Sequence, residues 1–111
     1  MKRITLLALL LLFNFSFSQK KELRKAQKLY DSGDVSGASQ LLEDNQSLFD
    51  NADPKIKPNY DFLRGKIAQN NKEFKIAYDL FTSLKGVESI TDEVKQQLSQ
   101  LSADIVNSAI D

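Results

Sequence analysis

Apolar residues recur at helical spacing from about residue 20 to the end of the chain. They follow one another at intervals of three or four positions, which places them on one face of an α-helix, and no stretch alternates strictly enough to predict a strand. The first stripe consists of Leu23, Ala26, Leu29 and Tyr30, and the second of Ala38, Leu41, Leu42, Leu48 and Phe49. The pattern predicts an all-α fold.

A turn at Ser32-Gly33-Asp34 separates these two stripes. Gly33 accepts the left-handed conformation that ends one helix, and the Asp34 carboxylate is able to cap the next. The two helices are therefore predicted to form an antiparallel hairpin over residues of about 20–50.

A second hairpin is predicted over residues of about 58–86, after a polar linker that contains Pro54 and Pro58. Proline is tolerated at the start of a helix but not inside one, so the third helix is expected to begin at one of these two residues. It breaks at residues 69–72, and a fourth helix, closed by Gly86, follows. The apolar positions of the pair are Tyr60, Phe62, Leu63, Ile67 and Ala68, then Phe74, Ala77, Tyr78, Leu80, Phe81 and Leu84.

A fifth helix is predicted at about 91–110, with Asp92 and Glu93 in its first turn, where the helix dipole favours acidic side chains. Its apolar stripe is Val94, Leu98, Leu101, Ile105 and Ala109. Two interpretations stay open. Either the helix caps the array, with its stripe on Phe74, Tyr78 and Phe81 and with Lys95, Gln96, Gln97, Gln100 and Asp104 in water, or the chain is a fragment of a longer array that self-associates through this helix.

The two hairpins repeat at an offset of 39 residues. A small residue on each helix of a hairpin lets the helix axes approach closely, and bulkier residues fill the gaps beside it. The aligned pairs are Leu23 with Phe62, Ala26 with Gly65, Leu29 with Ala68, Asp34 with Glu73, Val35 with Phe74, Ala38 with Ala77, Leu41 with Leu80 and Leu42 with Phe81. The offset predicts two copies of one structural unit.

This pattern resembles the tetratricopeptide repeat, which has a small residue late in its first helix, a Gly-Asp-aromatic turn, and an alanine followed four residues later by an aromatic residue in its second. The matching residues are Ala26, Leu29, Gly33-Asp34-Val35, Ala38 and Leu42 in the first copy and Gly65, Ala68, Glu73-Phe74, Ala77 and Phe81 in the second. The first helices lack the family's tryptophan, Lys72 replaces the second turn glycine, and the spacing exceeds the usual repeat of about 34 residues.

The resemblance implies a solenoid of two antiparallel helical hairpins plus the C-terminal fifth helix. In that family the first helix of each repeat lines a concave groove that binds a peptide or protein. The residues that match the groove are Gln27, Tyr30, Asp31, Lys66, Gln69 and Asn70. Their side chains are of the hydrogen-bonding kind that reads an extended peptide.

Residues 1 to about 18 have the pattern of a cleavable secretory signal peptide. Met1-Lys2-Arg3 is basic, and the run from Ile4 to Phe15 is apolar apart from Thr5 and Asn14. A run of about a dozen residues is too short to span a bilayer, which needs roughly 20 apolar residues. The mature protein is therefore predicted to be exported, periplasmic or secreted, without stable membrane insertion.

The cut is predicted between Ser18 and Gln19, because Ser16 and Ser18 place small side chains at both positions that signal peptidase recognises. The mature repeat domain then covers residues 19–111. It begins with a glutamine that is able to cyclise to pyroglutamate.

Charge and composition restrict the chemistry of this domain. Loss of Lys2 and Arg3 leaves 13 basic and 15 acidic side chains. The mature chain therefore lacks the excess of positive charge that nucleic-acid binding requires. A local basic cluster at the mature N-terminus is expected to be the solvated face of a helix, with contact to an anionic surface as the alternative. Its members are Lys20, Lys21, Arg24, Lys25 and Lys28.

The chain contains no histidine and no cysteine, which excludes thiolate and histidine metal sites, histidine general bases and serine or cysteine triads. The acidic pairs Glu43-Asp44 and Asp92-Glu93 do not converge, because neighbouring residues on a helix point in different directions. We therefore expect no catalysis, cofactor or metal, and a protein-interaction module or scaffold. The alternative is a structural segment of a larger repeat protein or envelope assembly, with no ligand of its own.

Overall fold

The computed structural model describes the backbone of residues 2–110 and the side chains of residues 17–109. Within those residues the chain is helical, with short turns and no strand, as the hydrophobic pattern predicts. The helices are α1 (Lys2–Asp31), α2 (Val35–Asp44), α3 (Gln46–Phe49), α4 (Lys57–Asn70), α5 (Phe74–Ser83) and α6 (Thr91–Ile110), the last preceded by a 3-10 turn at Glu88–Ile90. The prediction of an all-α fold is confirmed.

The predicted signal peptide, residues 1 to about 18, lies almost entirely outside the described side chains. The backbone of α1 runs through it without a break, so the Ser18–Gln19 bond falls inside that helix. Signal cleavage stays a prediction. Among the described residues, no helix has both the length and the apolar character needed to cross a membrane.

The chain divides into two compact units, Met1–Lys57 and Pro58–Asp111. In the first unit α1 packs against α2 and α3. The buried apolar side chains of this unit are Ala26, Ala38, Leu42, Phe49 and Ile56. Each comes from a position that the helical periodicity assigns to an inner face or from the linker that follows.

The second predicted helix is in fact two, because α2 ends at Asp44 and the separate α3 begins at Gln46. At the junction the Leu41 carbonyl oxygen accepts from both the backbone N–H of Asn45 at 3.2 Å and its carboxamide at 2.8 Å. Phe49, on the short α3, still reaches the core and is 1% exposed. The apolar stripe is therefore kept across the break.

The second unit consists of α4, α5 and α6. Pro58 lies in the first turn of α4, as its restricted backbone requires. Gly86 lies beyond the end of α5 and does not close it directly. Tyr60, Leu63 and Ile67 of α4 are buried. A core cluster consists of Ala68, Ala77, Phe81, Leu84, Val94 and Leu101, flanked by the half-buried Phe62, Phe74, Val87, Ile90 and Leu98.

The first half of α6 covers this core, since Val94 and Leu101 are buried in it. Of the three residues expected beneath it, Phe81 belongs to the core and Phe74 packs against it, whereas Tyr78 is 53% exposed and its assignment to the core is wrong. Tyr78 follows Ala77 directly and so points about 100° away from the buried face of α5. The stripe also ends early, because Ile105 is 41% exposed.

Candidate partner-binding surface

The turns of the two hairpins match bond by bond at the 39-residue offset. Each has a residue with positive φ, Gly33 at 95° and Lys72 at 62°. The next backbone N–H, of Asp34 or Glu73, donates to a carbonyl oxygen five residues earlier, at 2.8 Å in both turns. These are the bonds of a Schellman motif, which satisfies the last carbonyls of a helix. The two turns therefore have the same backbone hydrogen bonds.

The caps that begin the second helices differ in their hydrogen bonds. The Asp34 carboxylate accepts a hydrogen bond from the Gly37 N–H at 2.9 Å, while Glu73 forms no side-chain cap on α5. A Cβ at Gly37 would collide with that carboxylate, so glycine at this position suits the cap of the first copy. The equivalent residue of α5 is Ile76.

The predicted small residues of both hairpins lie in the interior. Ala26, Ala38 and Ala77 are fully buried, and Gly65 faces the ring of Phe81. The Phe81 ring also lies 5.6 Å from that of Phe62, centroid to centroid. In the second copy the absence of a side chain at Gly65 therefore leaves room for the Phe81 ring.

Three of the six predicted contact residues lie together near the end of α1. The Gln27 carboxamide donates to the Asp31 carboxylate at 2.9 Å, which orients both groups on the exposed face of the helix. Tyr30 is half-buried, and burial, assisted by the negative charge of Asp31, raises the pKa of its phenol. The phenol therefore stays neutral and able to donate a hydrogen bond at physiological pH.

Two further predicted contact residues lie on α4. Lys66 is half-exposed, with its ammonium 5.0 Å from the centre of the Phe62 ring. Asn70 is exposed at the last position of the helix. Lys66 and Asn70 are one helical turn apart, so they lie on the same face of α4.

Gln69, the sixth residue, is placed elsewhere. It is 6% exposed, and its carboxamide donates to the Asp104 carboxylate at 2.7 Å and accepts from the Gln97 carboxamide at 2.8 Å. Gln100 donates to the other oxygen of Asp104 at 3.0 Å. Gln69 therefore joins α4 to α6 and offers no polar group to a partner. Gln97, Gln100 and Asp104, which were expected only to face water, belong to this network.

These hydrogen bonds also set the charge state of Asp104. The bond from Gln69, and then that from Gln100, hold the pKa of the carboxyl below its ordinary value of 3.8. The network is therefore strongest with an ionised carboxylate. It is a structural element of the second unit.

A residue that sequence reasoning did not single out, Gln19, is the other buried polar side chain among those described. It is 1% exposed, and its carboxamide contacts the backbone at Leu48, Asn51 and Asp53. No periodicity signals such a role, because the partners are main-chain atoms about 30 residues away. Only the fold brings them together.

The basic cluster on α1 is exposed at all five positions, as expected of a solvated face. With the exposed Phe17 these side chains line a shallow depression of about 270 Å³. The Lys25 ammonium pairs with Glu22 at 3.6 Å. The other basic side chains of the cluster give the second half of α1 a local positive charge.

Among the described residues no group of acidic side chains is arranged to hold a metal ion. Every buried side-chain nitrogen and oxygen in that part of the chain has a hydrogen-bond partner. Among the described side chains, the two buried polar ones, Gln19 and Gln69, each belong to an internal hydrogen-bond network.

Compared with models of known families, with curated proteins and with solved structures, the chain gives no match.

Proposed function

We propose that this chain is a non-enzymatic protein-interaction module of the periplasm or cell exterior, built from tetratricopeptide-like repeats, that binds a peptide or protein partner. The observation that carries the proposal is the bond-by-bond match of the turns at Gly33 and Lys72. Repeated helical hairpins of one geometry are the building units of solenoids, which use the surfaces of successive units for binding.

The contact residues of this proposal are Gln27, Tyr30 and Asp31 on α1 in the first unit, and Lys66 and Asn70 on α4 in the second. Tyr30 is its most suitable anchor, because a half-buried tyrosine has little conformational entropy to lose and still presents a polar group. The Gln27–Asp31 hydrogen bond holds two polar side chains ready beside it. Gln69 is left out of this set because its carboxamide is engaged inside the second unit.

Site-specific photo-crosslinking in the exported protein tests the proposal. A photoreactive residue replaces Gln27 or Asn70 on the first helices, and as a control Tyr78, which is exposed on a second helix. We expect one common adduct from positions 27 and 70 and none from position 78. Adducts of equal yield at all three positions, or no adduct at any, would overturn the assignment.

Alanine variants measure how much each proposed contact residue contributes to the affinity for the partner, with controls of the same residue type. Tyr30→Ala and Lys66→Ala should each weaken partner capture at least about tenfold, as expected for interface anchors. Tyr78→Ala and Lys75→Ala, both on exposed positions of α5, should leave it unchanged. Melting curves of all four variants separate loss of contact from loss of fold.

A second candidate is a structural segment of a larger repeat protein or envelope assembly. The observation that favours it is the pair of exposed aliphatic residues Ile105 and Val106 on α6, 41% and 57% exposed. Such residues are what a following repeat or a second copy would cover. Sedimentation distinguishes the two candidates: association that Ile105→Lys abolishes supports the structural role, and a monomer at micromolar concentration supports the binding module.

A further inference from the structure

The carboxamide of Gln19 connects the middle of α1 to α3 and to the segment that follows α3. Its Nε2 donates to the carbonyl oxygens of Leu48 at 3.0 Å and Asn51 at 3.4 Å, and its Oε1 accepts from the Asp53 N–H at 3.0 Å. The side chain is 1% exposed. One buried amide thus satisfies three main-chain groups, one in α3 and two in the turn that follows it.

The same residue is the predicted first residue after signal cleavage. An N-terminal glutamine cyclises when its α-amino nitrogen attacks its own Cδ. A new C–N bond closes a five-membered lactam, the Cδ–Nε2 bond breaks, and Nε2 leaves as ammonia with the proton given up by the amine. The step needs no oxidant, reductant or co-substrate.

The two roles compete for the same atoms. To reach the α-amine, the carboxamide must leave all three of its backbone partners. Once Nε2 has departed as ammonia, the one donor left is the lactam N–H, which is bonded to Cα and does not stand where Nε2 contacted the carbonyl oxygens of Leu48 and Asn51. An unsatisfied buried acceptor is unfavourable, so the cyclised residue no longer fits its place in the fold.

We propose that Gln19 is a modification site controlled by the fold: the folded hairpin keeps the mature N-terminus as free glutamine, and cyclisation to pyroglutamate releases the segment around residues 48–53. The proposal rests on the export and cleavage contained in the proposed function. The proposal predicts that folding and cyclisation oppose each other. The folded state holds the Gln19 carboxamide away from the α-amine, and the cyclised residue no longer forms the hydrogen bonds that stabilise the fold.

The test expresses the full chain in a secreting bacterial host and follows the mature protein by intact mass at neutral pH, in buffer and in urea. Cyclisation appears as the loss of one ammonia. Three hydrogen bonds of ordinary strength should make the reaction roughly 10- to 1000-fold slower in the folded protein. As a matched control, a glutamine inserted directly before Gln19 provides an unheld N-terminal glutamine, which should cyclise in buffer at about the rate seen in urea.

The second measurement compares melting temperatures. Protein cyclised in urea and returned to buffer should melt at least about 4 °C below the uncyclised form. Cleavage anywhere other than before Gln19 overturns the export prediction and this proposal together. Cleavage at Gln19 followed by equal rates in buffer and urea, or by equal melting temperatures, overturns this proposal alone.

Discussion

Gly65 on α4 lies directly against the ring of Phe81 on α5. A Cβ at position 65 would stand 2.5 Å from Cε1 of that ring and 3.0 Å from two further ring carbons. At the equivalent positions the first hairpin has Ala26 and Leu42, a larger residue on the first helix and a smaller one on the second. The two copies thus divide the space between their helices differently.

Gly65→Ala should therefore destabilise the protein by about 1–3 kcal/mol through overpacking, even though alanine is the better helix former. Phe81→Leu should rescue part of that loss, because the double variant reproduces the Ala26/Leu42 pair. A double-mutant cycle in urea measures the coupling, which we expect at about 0.5–3 kcal/mol in the favourable direction. Strict additivity would contradict the proposed close contact.

Replacement of Lys72 by glycine should raise the stability of the protein. Its φ of 62° is costly for a residue with a Cβ, and Gly33 already fills the equivalent position. We expect Lys72→Gly to stabilise the protein by about 0.5–1 kcal/mol and Gly33→Ala to destabilise it by about 1 kcal/mol.

The effect at position 33 is purely conformational, since a Cβ there meets nothing within 4 Å. Thermal melts of both variants, with Gln96→Gly at an exposed interior position of α6 as a control, check the signs. The control should destabilise by about 1 kcal/mol, so a loss of stability in Lys72→Gly as well would contradict this account of the turn.

Ala38 and Ala77 should tolerate no larger side chain. Both are fully buried at the helix contact, so replacing either with leucine should cost about 1–3 kcal/mol. Ala103→Leu, exposed on α6, should change stability by less than about 0.5 kcal/mol. Unchanged melting temperatures for both core variants would show that the repeat register is wrong.

The Asp104 network should make stability depend on pH in the acid range. Because the pKa of Asp104 is lower in the folded state than its ordinary 3.8, its contribution is fully present above that value. It is lost as the pH falls through the lower, folded pKa.

Asp104→Asn should therefore be less stable than the wild type at neutral pH, with the difference shrinking below about pH 4. Urea denaturation at several pH values provides the measurement. Asp79→Asn, an exposed acid on α5, serves as the control. A difference between Asp104→Asn and the wild type that does not vary with pH would rule out the ionised network.

Local chemistry explains why the sequence predicts so much of this fold. Helix positions follow from the spacing of apolar residues, and the first turn follows from Gly33 and Asp34, whose conformational preferences act over a few residues. The 39-residue offset extends this prediction to the turn of the second hairpin. That turn has the same hydrogen bonds as the first, even though Lys72 replaces glycine there.

What the sequence could not supply is the partner of each polar side chain. Gln69 and Asn70 are neighbouring carboxamide residues at the end of α4, yet Gln69 is buried against α6 and Asn70 is exposed. The difference depends on where α6 lies, which is a matter of tertiary packing.

The sequence by itself determined the all-α class, the two hairpins, their offset and the small residues at the helix contacts, because these follow from short-range periodicity and from side-chain size. Only the tertiary structure decided that Tyr78 is exposed, that α6 reaches the core only as far as Leu101, and that Gln19 and Gln69 are internal connectors. A carboxamide has no periodic signature. Whether it binds a partner or holds two segments of its own chain together depends on which backbone and side-chain groups the folded chain brings within about 3 Å of it.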